Sequence, residues 1–230
     1  MPQTPLAAAA WSQAPAAERL RRYWDQHASG YDREMAFFER VLFGGGRQWA
    51  CAQAMGRVLE VAIGTGRNLA FYPPEVHLSG LEFSPAMLAI ARERARELGR
   101  QLDLVLGDAQ ALEFADATFD TVVCTFSLCS IPDEARALAE VQRVLRPGGR
   151  LILLDHVAGE PRWVRALQWV LEHVAGPLSG GDHFLRRPIT RLPSLGFAVE
   201  FSQRSKLGIV ERVVARKAST AQSTEGGRRQ

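Results

Sequence analysis

Val58-Leu59-Glu60-Val61-Ala62-Ile63-Gly64-Thr65-Gly66-Arg67-Asn68-Leu69 is the stretch on which the reading of the chain turns. An apolar run rich in Val, Leu and Ile gives way to Gly-Thr-Gly, and a polar-then-apolar pattern follows. That succession predicts a buried parallel strand, a tight glycine turn and the start of a helix. Gly64 permits a turn with φ > 0, and Gly66 would let the backbone approach a ligand with no Cβ in the way. In open α/β sheets, a strand–Gly-x-Gly–helix turn is where nucleotide-like cofactors bind.

The variant of the turn narrows the ligand. A dinucleotide fingerprint needs Gly-x-Gly-x-x-Gly, the third glycine giving close packing beside a pyrophosphate. Leu69 stands in that third place. Glu60 puts a carboxylate into an otherwise apolar strand just ahead of the turn. A buried carboxylate repels a pyrophosphate and welcomes a cation. The turn therefore favours an adenosine ligand that carries positive charge. S-adenosylmethionine, with its sulfonium and ammonium, fits.

Outward from the turn, the pattern alternates strand and helix. Val76–Phe83 reads as the second strand, ending at Glu82 and Phe83. Ser84-Pro85 is an N-cap followed by proline at the first helical position. Met87, Ile90, Ala91, Ala95 and Leu98 then recur on one face of a helix. Leu102–Leu106 is a third strand, ending at Gly107-Asp108-Ala109, and Phe119–Phe126 a fourth. A helix over Ile131–Leu145 stops at Pro147-Gly148-Gly149, and Arg150–Val157 is the fifth strand. Phe197–Gln203 and Ile209–Arg216 follow as two strands with a short turn and no helix between them. The expected fold is α/β: a doubly wound, Rossmann-like seven-stranded sheet, mostly parallel, with an antiparallel last strand.

With 230 residues the chain suits one domain with a sizeable core. Residues 1–15 are Pro/Ala/Gln-rich and read as a disordered tail, 16–217 as a single domain, and 218–230 as a second loose tail. Within the domain, 16–55 has a helical pattern in which Leu20, Tyr23, Trp24 and His27 recur, broken at Gly30 and at Gly44-Gly45-Gly46. Helices ahead of the first strand are candidates for a lid over the cofactor turn. The amphipathic Trp163–Val174 stretch is expected to pack on the core; walling a pocket or resting on lipid are its alternatives.

Composition excludes several classes. The net charge is +3 and the basic residues are scattered, so no nucleic-acid partner is expected. Those residues are almost all arginine, only Lys206 and Lys217 being lysines, which we read as codon bias of a GC-rich genome. Cys51, Cys124 and Cys129 are odd in number and lack metal-ligand spacing, so they read as buried free thiols and no metal is expected. No apolar run has the roughly 18 residues of a membrane span, and no basic region precedes Ala7–Ala10. The cytoplasm is the default location. Membrane contact is expected only if the acceptor is itself a lipid, and nothing in the chain reads out an oligomeric state.

Glu82 ends its strand 18 positions after Gly64, the spacing at which a carboxylate receives ribose hydroxyls. Asp108 ends the third strand, where it can accept from an adenine amino group beside a backbone N–H. Glu60–Gly66, Gly80–Leu88, Gly107-Asp108-Ala109, Phe119-Asp120 and Arg143–Gly149 stand in order and at familiar distances. Together they resemble the successive motifs of class I S-adenosylmethionine-dependent methyltransferases, over roughly residues 20–216. Asn68–Pro74, Val123–Ser130 and Asp155-His156-Val157 carry a narrower likeness to the small-molecule branch. That branch holds the ubiquinone/menaquinone C-methyltransferases, bacterial phospholipid N-methyltransferases and alkyl thiol methyltransferases.

The resemblance implies a cofactor site built from Glu60, Ala62, Gly64, Gly66, Asn68, Glu82, Phe83, Met87, Asp108, Ala109, Thr125 and Phe126. In it Gly64 and Gly66 contact the methionine part, Asp108 and Ala109 hold adenine, and Thr125 and Phe126 face the reacting methyl. The family's usual glycine at the head of the first motif is Ala62 here, a small intrusion. Methyl transfer from a sulfonium needs alignment and exclusion of water, and a base only for a protonated acceptor. His156 at the end of the fifth strand and His183 in Gly180-Gly181-Asp182-His183 are the candidates for that role. Tyr31 would cover the cofactor or donate to its carboxylate. The expected acceptor is a small, fairly apolar molecule. The rivals are a nicotinamide-dependent oxidoreductase on the same sheet and a cofactor-binding scaffold without turnover.

Overall fold

The structure, a computed structural model, describes residues 15–175 and 182–219. The expected tails therefore lie, apart from Pro15, Ala218 and Ser219, outside the described residues, as do Gly180 and Gly181. Ala218 is tied down, its N–H donating to Gly196 O at 2.9 Å.

Seven strands form one sheet: β1 (Arg57–Val61), β2 (His77–Glu82), β3 (Asp103–Leu106), β4 (Phe119–Thr125), β5 (Leu145–His156), β6 (Phe197–Ser205) and β7 (Val210–Lys217). Their order is β3-β2-β1-β4-β5-β7-β6. β1 to β5 pair in parallel, and β7 is antiparallel to both β5 and β6. Among the described residues, five α-helices accompany them: α1 (Pro15–Phe38), α2 (Gly46–Cys51), α3 (Pro85–Glu97), α4 (Glu134–Val144) and α5 (Arg162–Ala175).

Strand alternation sorts the core into two layers. Leu59, Val61, Val122, Cys124, Leu151 and Leu153 face α4 residues such as Leu138 and Val141. Val58, Val123, Ile152 and Leu154 face α2 and α3 through Ala50, Cys51, Leu88 and Ala95. With both faces covered, the free edge available to a ligand is the C-terminal end of the strands. Ser84 caps α3 as expected, accepting from Met87 N at 3.1 Å, and Asp133 does the same for α4 through Arg136 N at 3.0 Å.

Three expectations change. No helix follows the glycine turn: Leu69 N–Gly66 O and Phe71 N–Asn68 O bonds of 3.1 and 2.9 Å make successive turns, and Pro73-Pro74 stops them before a helix can close. Gly30 does not break the first helix, because a single glycine costs only about 1 kcal/mol against a helix of 24 residues. The break comes at Gly44–Gly46, after a π-helical turn at Glu39–Phe43. Finally, α5 does not bury its apolar residues in the core. Val164 and Gln168 face inward, whereas Trp163, Leu167, Val170, Leu171 and Val174 are exposed. No helix among the described residues is long and apolar enough to cross a membrane.

Candidate active site

The strand ends open onto a cleft of about 730 Å³ that continues into solvent. Nine of the residues expected at the site line it: Tyr31, Ala62, Gly64, Glu82, Phe83, Met87, Asp108, Ala109 and Phe126. They come from six separate elements or turns, brought to one end of the sheet by its parallel register.

Glu82 closes the glycine turn. Its Oε2 accepts from Gly64 N at 2.8 Å and its Oε1 from Ser84 N at 2.9 Å. Burial raises the acid above the usual carboxylate range, and these backbone donors oppose that rise. Gly64 has φ +59, and a Cβ there would stand 3.9 Å from both Met87 Sδ and Tyr31 Cε1, at the mouth of the cleft. Gly66 departs from expectation. Its missing side chain admits Leu69 and α3 rather than a ligand, since a Cβ would meet Leu69 Cδ1 at 2.9 Å and Ala91 Cα at 3.3 Å. Ala62 carries φ +53 and Phe126 φ +54, two non-glycine residues in the left-handed region flanking the cleft.

At the far end Asp108 is oriented by its own turn, its Oδ1 accepting from Gln110 N at 2.8 Å and Gln110 Nε2 at 3.1 Å. Trp24, Leu20 and Ala17 of α1, with Ile131 and Pro132, complete the cleft's lining with apolar surface.

Glu60, Asn68 and Thr125 do not line the cleft but sit behind its floor. Asn68 Nδ2 donates to Glu60 Oε1 at 2.8 Å and to Thr125 Oγ1 at 2.9 Å. Arg47, buried on α2, donates to Asn68 Oδ1 at 3.0 Å and Thr125 Oγ1 at 3.2 Å, pairs with Glu39, and lies 4.7 Å over the Phe126 ring. Thr125 is thus a strut, not a group facing the methyl. Burial pushes Glu60 up to about 7, against the opposing influence of Tyr72, Arg47 and Asn68.

The N-terminal helix is fastened over the site by carboxylates that no motif announces. Asp25 accepts from Ser84 Oγ at 2.6 Å and Ala86 N at 3.1 Å, at the N-terminus of α3. Asp32 accepts from Thr65 Oγ1 at 2.6 Å and pairs with Arg94. Their seven-residue spacing on α1 is the only sequence signal that could have found them. Arg47 has none, because it follows a glycine run and precedes no pattern. Tyr31 faces the cleft, with burial pushing its hydroxyl up to about 12. It therefore remains a hydrogen-bond donor at neutral pH.

The two histidines separate. His183 lies outside the cleft lining, its Nδ1 standing 3.1 Å from Glu172 Oε1 on α5. His156 is half-buried, with its ring stacked on Phe184 at 5.0 Å and its Nδ1 without a hydrogen-bond partner.

A doubly wound sheet with an antiparallel seventh strand, and a cleft floored by a glycine turn and two strand-end acids, is the architecture of a methyltransferase. The methyltransferase domain family matches residues 59–153. Phosphatidylethanolamine N-methyltransferase of Cereibacter sphaeroides is 37% identical over 61% of this chain and 70% of its own length. Human thiol S-methyltransferase TMT1A is 33% identical over 73% of this chain and 70% of its own. The ubiquinone/menaquinone biosynthesis C-methyltransferase UbiE of Methylobacterium nodulans is 40% identical, over 61% of each chain. Among solved structures, a putative methyltransferase from Bacillus halodurans has a TM-score of 0.64 at 22% identity, covering 75% of this chain and 96% of that one. A possible histamine N-methyltransferase from Thermotoga maritima has a TM-score of 0.65 at 21% identity, over 86% and 99%. The chain belongs to the S-adenosylmethionine-dependent methyltransferases, and S-adenosylmethionine is its cofactor.

Proposed function

We propose that this enzyme methylates a small, fairly apolar acceptor by in-line transfer. The observation that carries this is the apolar rim of the cleft, where Leu20, Trp24, Ile131 and Pro132 face the strand ends. A phospholipid of the phosphatidylethanolamine type and an alkyl thiol are the narrower alternatives, after the relatives of those names.

In this reading Glu82 receives the ribose hydroxyls on lone pairs not used by Gly64 and Ser84, and Asp108 with Ala109 N–H holds adenine. Phe83 and Met87 form walls beside them. Gly64 and Ala62 pass under the methionine part. Tyr31 covers the cofactor as a neutral donor, and Arg47 holds Asn68, Thr125 and Phe126 in place. Residues 16–55 act as the lid. Rate acceleration comes from alignment and from exclusion of water. His156 is the group nearest to a base role for an acceptor that arrives protonated. The cytoplasm of a bacterium with a GC-rich genome is the setting that the composition supports.

The test is a homocysteine-release screen of thiols, amines, phenols, quinols and phosphatidylethanolamine vesicles. Turnover confined to large polar acceptors, or none with any member of the panel, would overturn the acceptor class. Glu82→Ala should weaken S-adenosylhomocysteine binding by about one to two orders of magnitude, through loss of charge-assisted hydrogen bonds.

A further inference from the structure

We propose that Cys129, Asp155 and His156 form a binding site for a divalent cation of the zinc type beside the cleft, behind Ser127 and Ser130, and that the cation's remaining position takes the acceptor as a thiolate. Cys129 Sγ, an Asp155 carboxylate oxygen and a His156 ring nitrogen all lie within 4.8 Å of one another. Cys129 and Asp155 are 5% and 4% exposed.

Two independent features mark this cluster as more than chance proximity. The Nδ1 atom of His156 is buried and meets no hydrogen-bond partner among the described residues, a costly arrangement for an imidazole nitrogen. Each member is also held in place from outside the trio. Asp155 accepts from Ser127 N at 3.2 Å, Leu128 N at 2.9 Å and His156 N at 2.8 Å, and the Cys129 thiol hydrogen-bonds to its carboxylate. Arg186 spans the loop that carries Cys129, donating to Leu128 O at 2.6 Å and Pro132 O at 2.9 Å. His183 N donates to Cys129 O at 2.9 Å, and Phe184 stacks on the His156 ring.

The Cys129 thiol hydrogen-bonds to Asp155, and a cation bound here would displace the thiol proton and take the sulfur as thiolate. Asp182 adds a further carboxyl near His156 and Asp155. One sulfur, one nitrogen and one oxygen ligand suit zinc, and three protein ligands leave a fourth position open. That position has a direction. Ser127 and Ser130, on either side of Cys129, line the cofactor cleft. Of the acceptor classes named for the relatives, a thiol is the one that zinc binds as a strong anionic ligand.

This inference rests on the methyltransferase reading. The acceptor R–SH loses its proton to solvent on coordination. Its sulfur pair then forms the new S–CH3 bond while the methyl–sulfonium bond breaks. The electron pair of the broken bond stays on the departing sulfur, giving S-adenosylhomocysteine. The product is a neutral thioether, a weak ligand that leaves.

The experiment is a Co2+ titration of the full chain, stripped of metal by chelator. One equivalent of Co2+ should bind with a sulfur-to-cobalt charge-transfer band, and an alkyl thiol should shift the visible cobalt bands. Cys129→Ala should abolish the charge-transfer band and Cys51→Ala should retain it. His156→Gln should lower Co2+ affinity by about 100-fold or more, beyond what an outer-shell change produces. S-adenosylhomocysteine binding, measured by calorimetry on the same samples, reports whether each variant is folded and whether the cofactor reading stands. Retained S-adenosylhomocysteine binding with no cobalt band in the unaltered protein, or a band that survives Cys129→Ala, would overturn the site. A cobalt band that no thiol perturbs would overturn the acceptor assignment alone.

Discussion

Ala62 and Glu60 show how single residues in the decisive stretch are stressed for the sake of the site. Ala62 sits at φ +53, where an L-residue is disfavoured by roughly 1–2 kcal/mol. Ala62→Gly should relieve that strain, offset in part by the added freedom of the unfolded chain. A net gain of up to about 1 kcal/mol is expected, read as a higher midpoint in thermal denaturation with S-adenosylhomocysteine affinity kept. Glu60 carries a second cost. Its carboxyl titrates at about 7 in the folded chain, against an ordinary value of 4.5. The folded state thus keeps a proton that the unfolded chain has already released across that window. This group's contribution is most favourable below about pH 4.5 and declines as pH rises through 7. Glu60→Gln should flatten the stability profile between those values and stabilise the protein at pH 8 by on the order of 3 kcal/mol. Urea titrations at a series of pH values measure it; an unchanged slope would show that Glu60 ionises normally. The charge at Glu60 is written in the sequence, but the burial that shifts it is not.

At the scale of elements, the sheet was largely legible and the helical cover was not. Several strands announce themselves as short apolar runs ended by an acid or glycine, as at Glu82 and Gly107-Asp108. The Ser84-Pro85 cap and the Gly44–Gly46 break are equally local. The missing helix after Gly66 and the uninterrupted run through Gly30 were misread because propensity is weaker than tertiary fit. How α1 fastens to the sheet is a tertiary fact: Asp25 reaches Ser84 and Ala86, and Asp32 reaches Thr65 and Arg94. Asp25→Ala should free the N-terminal helix while leaving the sheet intact. The expected result is faster amide exchange over residues 15–38 and weaker S-adenosylhomocysteine binding, with the protection of β1, β4 and β5 unchanged. Equal loss of protection across the sheet would mean that α1 is part of the core.

For the whole molecule, the cofactor cleft exists only when α1, β2, α3 and the turns after β1, β3 and β4 are assembled, since each supplies part of its lining. Binding should therefore stabilise the whole of it by mass action. S-adenosylhomocysteine at 100 times its dissociation constant should add about 2.7 kcal/mol. Exchange should slow together in α1, in the Ala62–Leu69 turn and at the end of β4. Protection limited to the turn would argue against α1 as a cover. The sequence by itself determined the alternating α/β order, the antiparallel close of the sheet, the glycine turn and the acids at the ends of β2 and β3. Each of these is encoded by neighbours a few positions apart, where period, cap and turn chemistry operate. Only the tertiary structure decided that Arg47 braces Asn68 and Thr125 behind the cleft, that His183 turns to Glu172, and that Cys129, Asp155 and His156 meet. These groups lie on different elements, and what joins them is the register of parallel strands and the desolvation of charges between packed layers, neither of which a linear pattern records.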